Sequence, residues 1–465
     1  MKRPFVNRGS GRGTAGARPA LICFLLGLLG ALPLVALTPP FQVPDESQHF
    51  LRAYQLSELR MRAIVQDGET KAMLPSSLIE LIESFLGTRA VLAPRPITAQ
   101  PLQQTWMALD RPLEPGRREL VSLEYSTKPP PPYLPQAIAI AAGRWLGAGP
   151  LALLYLGRLA NALVALTVLA SAVRLMPIGR ELTMLFGLLP MAIYEYASVS
   201  PDAAVISTAF LFTAVALRGQ LRTRWTAGEV GMAMASGLVF CGQKPVYAPL
   251  LLISLPAALV QGRARHILLV HAAIIAIVLG GTAAWMGFAS RSSPPPGTSV
   301  SDQAAFIATH PLAYLEVLAG QFSDLRFLYW SGVGKLGWLK VYLPDFAYVL
   351  PLCGLLLGAL AQPRDGPRLP ALAVAWSALL LAGACVLIIT AAYLVWNNVG
   401  SATVEGVQGR YFLPLLALVA AMWCSVVRVP LSRRASLATL LMLVAVIIAE
   451  CATTVLTIVR AYHVF

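Results

Sequence analysis

Between residues 19 and 459 the sequence is broken into apolar runs close to the length of a bilayer crossing: 19–38, 150–173, 181–198, 201–217, 226–242, 245–262, 266–288, 341–361, 369–396, 410–428 and 435–459. A helix needs about 20 apolar residues to cross the hydrocarbon core. Within lipid every backbone polar group must be satisfied inside its own segment, so such runs fold as helices. This feature restricts the chain to an all-α polytopic transmembrane bundle of about 11–13 spans. Composition agrees: 57% of the 465 residues are hydrophobic and 12% are charged, whereas soluble proteins carry about 25% charged residues. The mean hydropathy is +0.67.

The formal net charge is +14. The basic residues punctuate the apolar runs and form no stripe, which argues against nucleic acid and for loop anchors and contacts to anionic headgroups. They fall at Arg174 and Arg180, at Arg218, Arg222 and Arg224, at Arg263 and Arg265, at Arg364 and Arg368, and at Arg428, Arg433 and Arg434. Cytoplasmic loops collect such residues. Placing all of these loops inside gives a multi-pass protein of the inner (plasma) membrane, with a cytoplasmic N-terminus and a C-terminus outside. The first run follows Lys2, Arg3, Arg8, Arg12 and Arg18. It is longer than the apolar core of a signal peptide, about 7–15 residues, and reads as an uncleaved helix. The run 133–146 breaks the pattern, since a full crossing there inverts every later loop. It reads as a short helix partly inserted in the outer leaflet. Cys23, Cys241, Cys353, Cys385, Cys424 and Cys451 contain no CxxC pair and read as small buried hydrophobes.

The chain therefore divides into 1–38 (N-terminus and first helix), 39–132 (outer loop), 133–288 (bundle), 289–340 (second outer loop) and 341–465 (C-terminal helices). Both outer segments are too long for idle connections. The first shows helical patterning at 44–60 and 76–87 and ends in a proline run at 129–132. The second shows helical patterning at 301–322 and an aromatic patch of Phe327, Tyr329, Trp330 and Trp338. There is no P-loop, no GxGxxG after a strand, no HExxH and no fixed-period repeat.

The ionisable groups at the outer helix ends carry the chemistry. Pro44 suits a first helical position, which puts Asp45 and Glu46 in the first turn, where carboxylates complement the helix dipole. That is the structural account of the pair. The functional one notes that Asp45, His49 and Arg52 recur at helical spacing on one face. A carboxylate beside a histidine and an arginine suits general-base work or metal binding, with Asp45, Glu46 and His49 as the candidate ligands. Topology then puts Lys128, Tyr133, Glu195, Asp202, Lys244, Tyr247, Glu405, Gln408, Arg410 and Tyr411 on the same side as Asp45. Singly, each cation can snorkel to headgroups. Together they describe a polar cavity, because charge at membrane depth is costly and faces water or a partner. Arg158, with Asn161 three residues on, reads as a structural polar pair inside the bundle. Arginine and lysine suit a phosphate, and a carboxylate suits deprotonation of a hydroxyl.

Two stretches carry a resemblance: Pro44-Asp45-Glu46-x-x-His49-Phe50-x-Arg52-Ala53, and Gln408-Gly409-Arg410-Tyr411-Phe412-x-Pro414. They resemble a bacterial family of predicted membrane proteins of unknown function. The order of first helix, acidic pair and long outer loop ending in Lys-Pro-Pro also looks like the GT-C class of integral-membrane glycosyltransferases. That resemblance implies a polyprenyl-phosphate-sugar donor and inverting transfer to an outward-facing glycan, lipid or protein acceptor of the cell envelope. It implies Asp45 as catalytic base, with Glu46 beside it or with a divalent metal (Mg or Mn). Lys244 and Arg410, with Lys128 behind them, would hold the lipid phosphate by their chemistry and placement.

Two other functions fit a polytopic chain. A transporter or flippase of a lipid-linked or polar solute predicts inverted repeats and matched broken helices, and the outer segments are asymmetric. A non-catalytic envelope-assembly protein would depend on its outer surface and not on Asp45 and Glu46.

Overall fold

The computed structural model describes residues 16–86, 105, 107–222, 225–256, 264–289, 298–360, 366–427 and 433–463. The first run forms α1 (Ala17–Leu37), which stops at Thr38 just before Pro39 and Pro40, where the missing proline N–H ends the hydrogen-bond ladder. A tight turn leads into α2 (Glu46–Ser57). The first outer segment then forms a three-stranded antiparallel sheet of β1 (Ile64–Gln66), β2 (Glu69–Pro75) and β3 (Arg118–Ser122), with Lys71 opposite Ser122. Asp67 and Gly68, at φ 55° and 77°, make the β1–β2 turn. An Asp-Gly pair favours such a hairpin because both central residues need positive φ. Helical patterning at 44–60 and 76–87 corresponds to α2 and α3 (Ser76–Leu86); residue 87 lies outside the described residues. The sheet is an addition to the expected helical segment.

α4 (Leu134–Trp145) has 12 residues, too few to cross a bilayer. It turns at Gly147–Gly149 into α5 (Pro150–Leu175). The run 181–198 forms two short helices, α6 (Arg180–Gly187) and α7 (Pro190–Tyr196), interrupted just before Pro190. α8 (Asp202–Leu221) and α9 (Ala227–Gln243) follow, the latter started by a capping box between Thr226 and Glu229. The run at 245–262 departs from the expected helix. Pro245–Leu252, with prolines at 245 and 249, is a 3-10 turn, and 257–262 lie outside the described residues.

α10 (Ala264–Phe288) leads to the second outer segment: α11 (Val300–Thr309), α12 (Pro311–Gln321), α13 (Leu325–Val333) and the hairpin β4 (Lys335–Leu336) with β5 (Val341–Tyr342). The helical pattern at 301–322 is split at His310–Pro311. α14 (Asp345–Leu360), α15 (Ala371–Trp396), a 3-10 segment at Gly409–Leu415, α16 (Leu416–Val426) and α17 (Arg433–Tyr462) complete the chain.

The architecture is an all-α polytopic membrane bundle. Among the described residues seven helical segments are long and apolar enough to cross a membrane, and Asp345–Leu360 is a shorter apolar helix. The other expected spans are built from short or interrupted helices. The most apolar stretch of α8 is 72% buried, the highest share among the seven. The chain alternates between two ends. Asp202 and Lys244 pair at one, where His463 also reaches the Leu37 carbonyl. The exposed Arg174 and Arg222 lie at the other ends of α5 and α8. We call the first the motif end and the second the basic end. One hydrophobic core fills the bundle; a second, including Phe50, Leu74, Leu78, Tyr133 and Leu154, joins the first outer segment to the start of α5.

Candidate active site

The acidic motif begins with backbone strain. Phe41 and Asp45 sit at φ 64° and 63°, the left-handed region that costs a non-glycine residue roughly 1–2 kcal/mol. Several bonds hold the turn. The Phe41 N–H donates to Glu46 Oε2 at 3.0 Å, and Trp338 Nε1 donates to the Phe41 carbonyl at 3.2 Å. Strain held this firmly is a feature of functional turns.

The two carboxylates diverge. Glu46 is fully buried and clamped by Arg158, with Nε to Oε1 at 2.8 Å and Nη2 to Oε2 at 2.6 Å. Its oxygens also accept the N–H groups of Phe41 and Val199. The remaining Arg158 donors go to the carbonyls of Val35, Thr38 and Pro39. Glu46 and Arg158 thus form a hub that fastens the end of α1 to the start of α2. Every bonding direction of Glu46 is spent inside the protein, which leaves it none for a substrate. Arg158 has Glu46 as its partner, while Asn161 donates to the carbonyls of Ser198 and Ser200.

Asp45 occupies the cap position of α2 without making a side-chain capping bond, so its carboxylate is not consumed by the helix start. Its side chain is 39% exposed and lies 4.0 Å from Arg410. Arg410 is the centre of the site: Nη1 bonds Glu195 Oε1 at 2.7 Å, and Nε is 4.0 Å from Asp202 Oδ2. Asp202 in turn holds Lys244 Nζ at 2.6 Å. The Tyr411 ring lies beneath both cations, 4.5 Å from Lys244 and 5.5 Å from Arg410, and Tyr247 fixes the Tyr411 carbonyl at 2.8 Å. Five charged residues from four separate stretches therefore meet at the motif end.

Local chain breaks put them there. Lys244 stands between the end of α9 and the proline-rich 3-10 turn, and Gln408 precedes the second 3-10 segment. Such interruptions at membrane depth are tolerated where they line a polar cavity. Gly409 is dictated by packing, because a Cβ there would run into backbone atoms of Leu328 and Gly332. The Gly409 N–H also donates to Ser331 Oγ at 2.8 Å. Docking of Gly409 on α13 fixes where Arg410 begins.

His49 takes no part in a metal site. Its ring stacks on Tyr125 at 4.6 Å, and Nδ1 meets the Tyr133 hydroxyl at 2.9 Å. Burial pushes its pKa down to about 3, with Arg410, Lys244 and Lys128 adding to the effect against Asp202. It is a neutral spacer at physiological pH. Asp45, Glu46 and His49 therefore do not converge as ligands, and among the described residues no group of three His, Cys, Asp or Glu side chains is arranged to hold a metal. Burial raises the Tyr125 hydroxyl pKa, and the paired Asp45 charge raises it further. Tyr125 escapes sequence reasoning because nothing in its spacing links it to a motif 80 positions away.

Arg52 is fully buried and spends its donors within the protein, on Gln55 at 2.5 Å and on the carbonyls of Met61 and Lys128. It positions the Lys128 backbone. Lys128 forms no ion pair among the described residues, and its pKa is lowered by burial first and by Lys244 second. Glu195 and Asp202 already engage Arg410 and Lys244, whereas Asp45 keeps a partly exposed carboxylate. Buried polar atoms at the site also lack partners: Glu195 Oε2, Arg410 Nε, Gln243 Oε1 and Gln408 Oε1. Glu405 is exposed and stays outside the cluster.

The family model described as "Predicted membrane protein (DUF2142)" matches residues 26–419 and so takes in both motifs. No curated protein and no solved structure matches the chain.

Proposed function

We propose a function for this chain, which belongs to the family of predicted membrane proteins designated DUF2142: it moves a sugar from a polyprenyl-phosphate donor to a hydroxyl acceptor at the motif end of the bundle. The observation that carries the reading is the convergence of Asp45, Glu195, Asp202, Lys244 and Arg410 around one guanidinium, with Asp45 left partly exposed. Asp45 takes the proton from the acceptor hydroxyl as its oxygen attacks the anomeric carbon. The bond from that carbon to the phosphate oxygen breaks, and the departing polyprenyl phosphate keeps the electron pair. Lys128 and Lys244 meet the charge that grows on it. Fixed cations aimed at developing charge act most strongly in a dry site.

Arg410 fits a positioning role. It holds Glu195 and stands 4.0 Å from both Asp45 and Asp202. This ranking differs from the sequence expectation, in which Arg410 leads with Lys244 and Lys128 stands behind them, because Arg410 already holds Glu195 and lies near two further carboxylates. The orphaned acceptors Glu195 Oε2, Gln243 Oε1 and Gln408 Oε1 suit a ligand that brings its own hydroxyl donors. The acceptor belongs to the cell envelope if the motif end faces outward.

The test uses the full chain reconstituted in vesicles with synthetic polyprenyl-phosphate hexoses and envelope-derived acceptors. Release of free polyprenyl phosphate by the wild type, and its loss in Asp45→Asn, is expected. Undiminished release by Asp45→Asn would remove Asp45 as the base. Failure of Lys128→Ala to weaken binding of a short-chain prenyl phosphate would remove the phosphate assignment.

A further inference from the structure

Away from the charged cluster, a groove of about 430 Å³ lies between Val35 and Ala36 of α1 and Ala152, Tyr155 and Leu159 of α5, with Leu109 above. It occupies the motif end of α1 and the first turns of α5. Both helices present lipid-type faces beside it: Leu21, Leu25, Leu29 and Leu32 on α1, and Leu163 and Val164 on α5, are all exposed. The groove is thus continuous with the bilayer-facing surface. A water needs two to four polar partners to stay in such a space, and an almost wholly apolar wall does not supply them.

A charge lies close to it. Arg111 is exposed two residues after Leu109, and its backbone packs against Gly149, the cap of α5. Tyr155 belongs both to the groove and to the hub, its ring 5.5 Å from the Arg158 guanidinium. The Val35 carbonyl accepts from Arg158 at 3.2 Å. The Arg158–Glu46 pair is itself fully buried.

We infer that the groove holds one acyl chain of a bilayer phospholipid, with its phosphate at Arg111. The bound chain packs against Tyr155 and so supports the Arg158–Glu46 hub that sets the turn before α2. The inference rests on the fold and not on the proposed transferase chemistry. The occupant is a resident lipid and not the sugar donor, because neither Lys128 nor Lys244 lines the groove.

The experiment places the full-length protein in phosphatidylethanolamine and phosphatidylglycerol vesicles carrying a trace of phosphatidylglycerol with a photoactivatable diazirine in its acyl chain. Cross-linked peptides are then mapped. Labelling concentrated at residues 35–36 and 152–159 is expected. It should fall to the level of the open α5 face in Ala36→Trp, a change at an exposed position that fills the groove from its rim. It should also weaken in Arg111→Gln and persist in Leu163→Trp. Ala152→Trp provides a second blocking variant. Labelling spread evenly over the lipid-facing helices would overturn the inference, as would labelling unaffected by both blocking variants. Displacement of the probe by a polyprenyl phosphate but not by unlabelled phospholipid would assign the groove to the donor instead.

Discussion

Asp45 and Glu46 are adjacent in the chain, and substitution separates their roles. Asp45 makes no capping bond and is partly exposed. Asp45→Asn should leave the thermal stability of the purified protein nearly unchanged while lowering transfer by about a hundred- to ten-thousand-fold, the usual worth of a general base. Glu46→Gln leaves the Arg158 charge buried without its counter-ion. Breaking one partner of a buried pair costs roughly 3–5 kcal/mol, so a large fall in melting temperature is expected from that variant alone. Equal stability losses in the two variants would contradict the division. The sequence shows two carboxylates at a helix start and offers no means of ranking them. The ranking comes from Arg158, a residue 112 positions further on that turns its guanidinium toward only one of them.

At the scale of elements, the site is made where helices stop. α9 ends at Lys244, and the chain before α16 stays in a 3-10 segment through Arg410. The prolines at 245, 249 and 414 mark these breaks in the sequence, but apolar run length hides them, since a broken segment and a continuous helix share the same hydropathy. The sheet in the first outer segment was not read from the sequence, because β1 is only three residues long and exposed along its length, so it carries no buried alternation. Gly409→Ala tests whether the docking of one element sets the site. The new methyl meets backbone atoms of α13 that cannot swing aside. Overpacking of this kind costs about 1–3 kcal/mol, and transfer should fall further than stability because Arg410 moves with the segment. α2 carries a second test through His49, whose folded pKa of about 3 lies below its ordinary 6.5. The unfolded chain binds the proton more readily between these values, so the contribution to stability is full above about pH 6.5 and declines as the pH falls. His49→Gln removes this titration. Its melting temperature should therefore drop less than that of the wild type between about pH 6.5 and pH 5, and parallel curves would count against a buried neutral histidine.

For the whole molecule, the alternation of ends is the property on which the meeting of these charged residues depends. Hydropathy and basic loops made the bundle legible, because the cost of burying charge in lipid acts on composition alone. The pairing of particular charges was not legible, because it depends on the close approach of elements distant in the chain. Arg410 and Glu195, for example, are 215 positions apart. The proposed orientation relative to the cell rests on the basic residues at the far end. Arg174 and Arg222 are exposed there, whereas Glu124 and Glu405 are exposed on the motif side. In a cysteine-free background, Glu124→Cys and Glu405→Cys should react with a membrane-impermeant maleimide added to intact spheroplasts. Arg222→Cys should react only after permeabilisation. The reverse pattern would turn the motif end toward the cytoplasm, and the acceptor would then have to be a cytoplasmic hydroxyl compound. Labelling of Arg222→Cys together with Glu405→Cys in intact cells would be worse for the proposal, because the two ends of the bundle would no longer lie on opposite sides of one bilayer. Labelling only at Glu124 and Glu405 would set Asp45, Lys244 and Arg410 toward the outer surface, where a lipid-linked sugar and an envelope acceptor can meet.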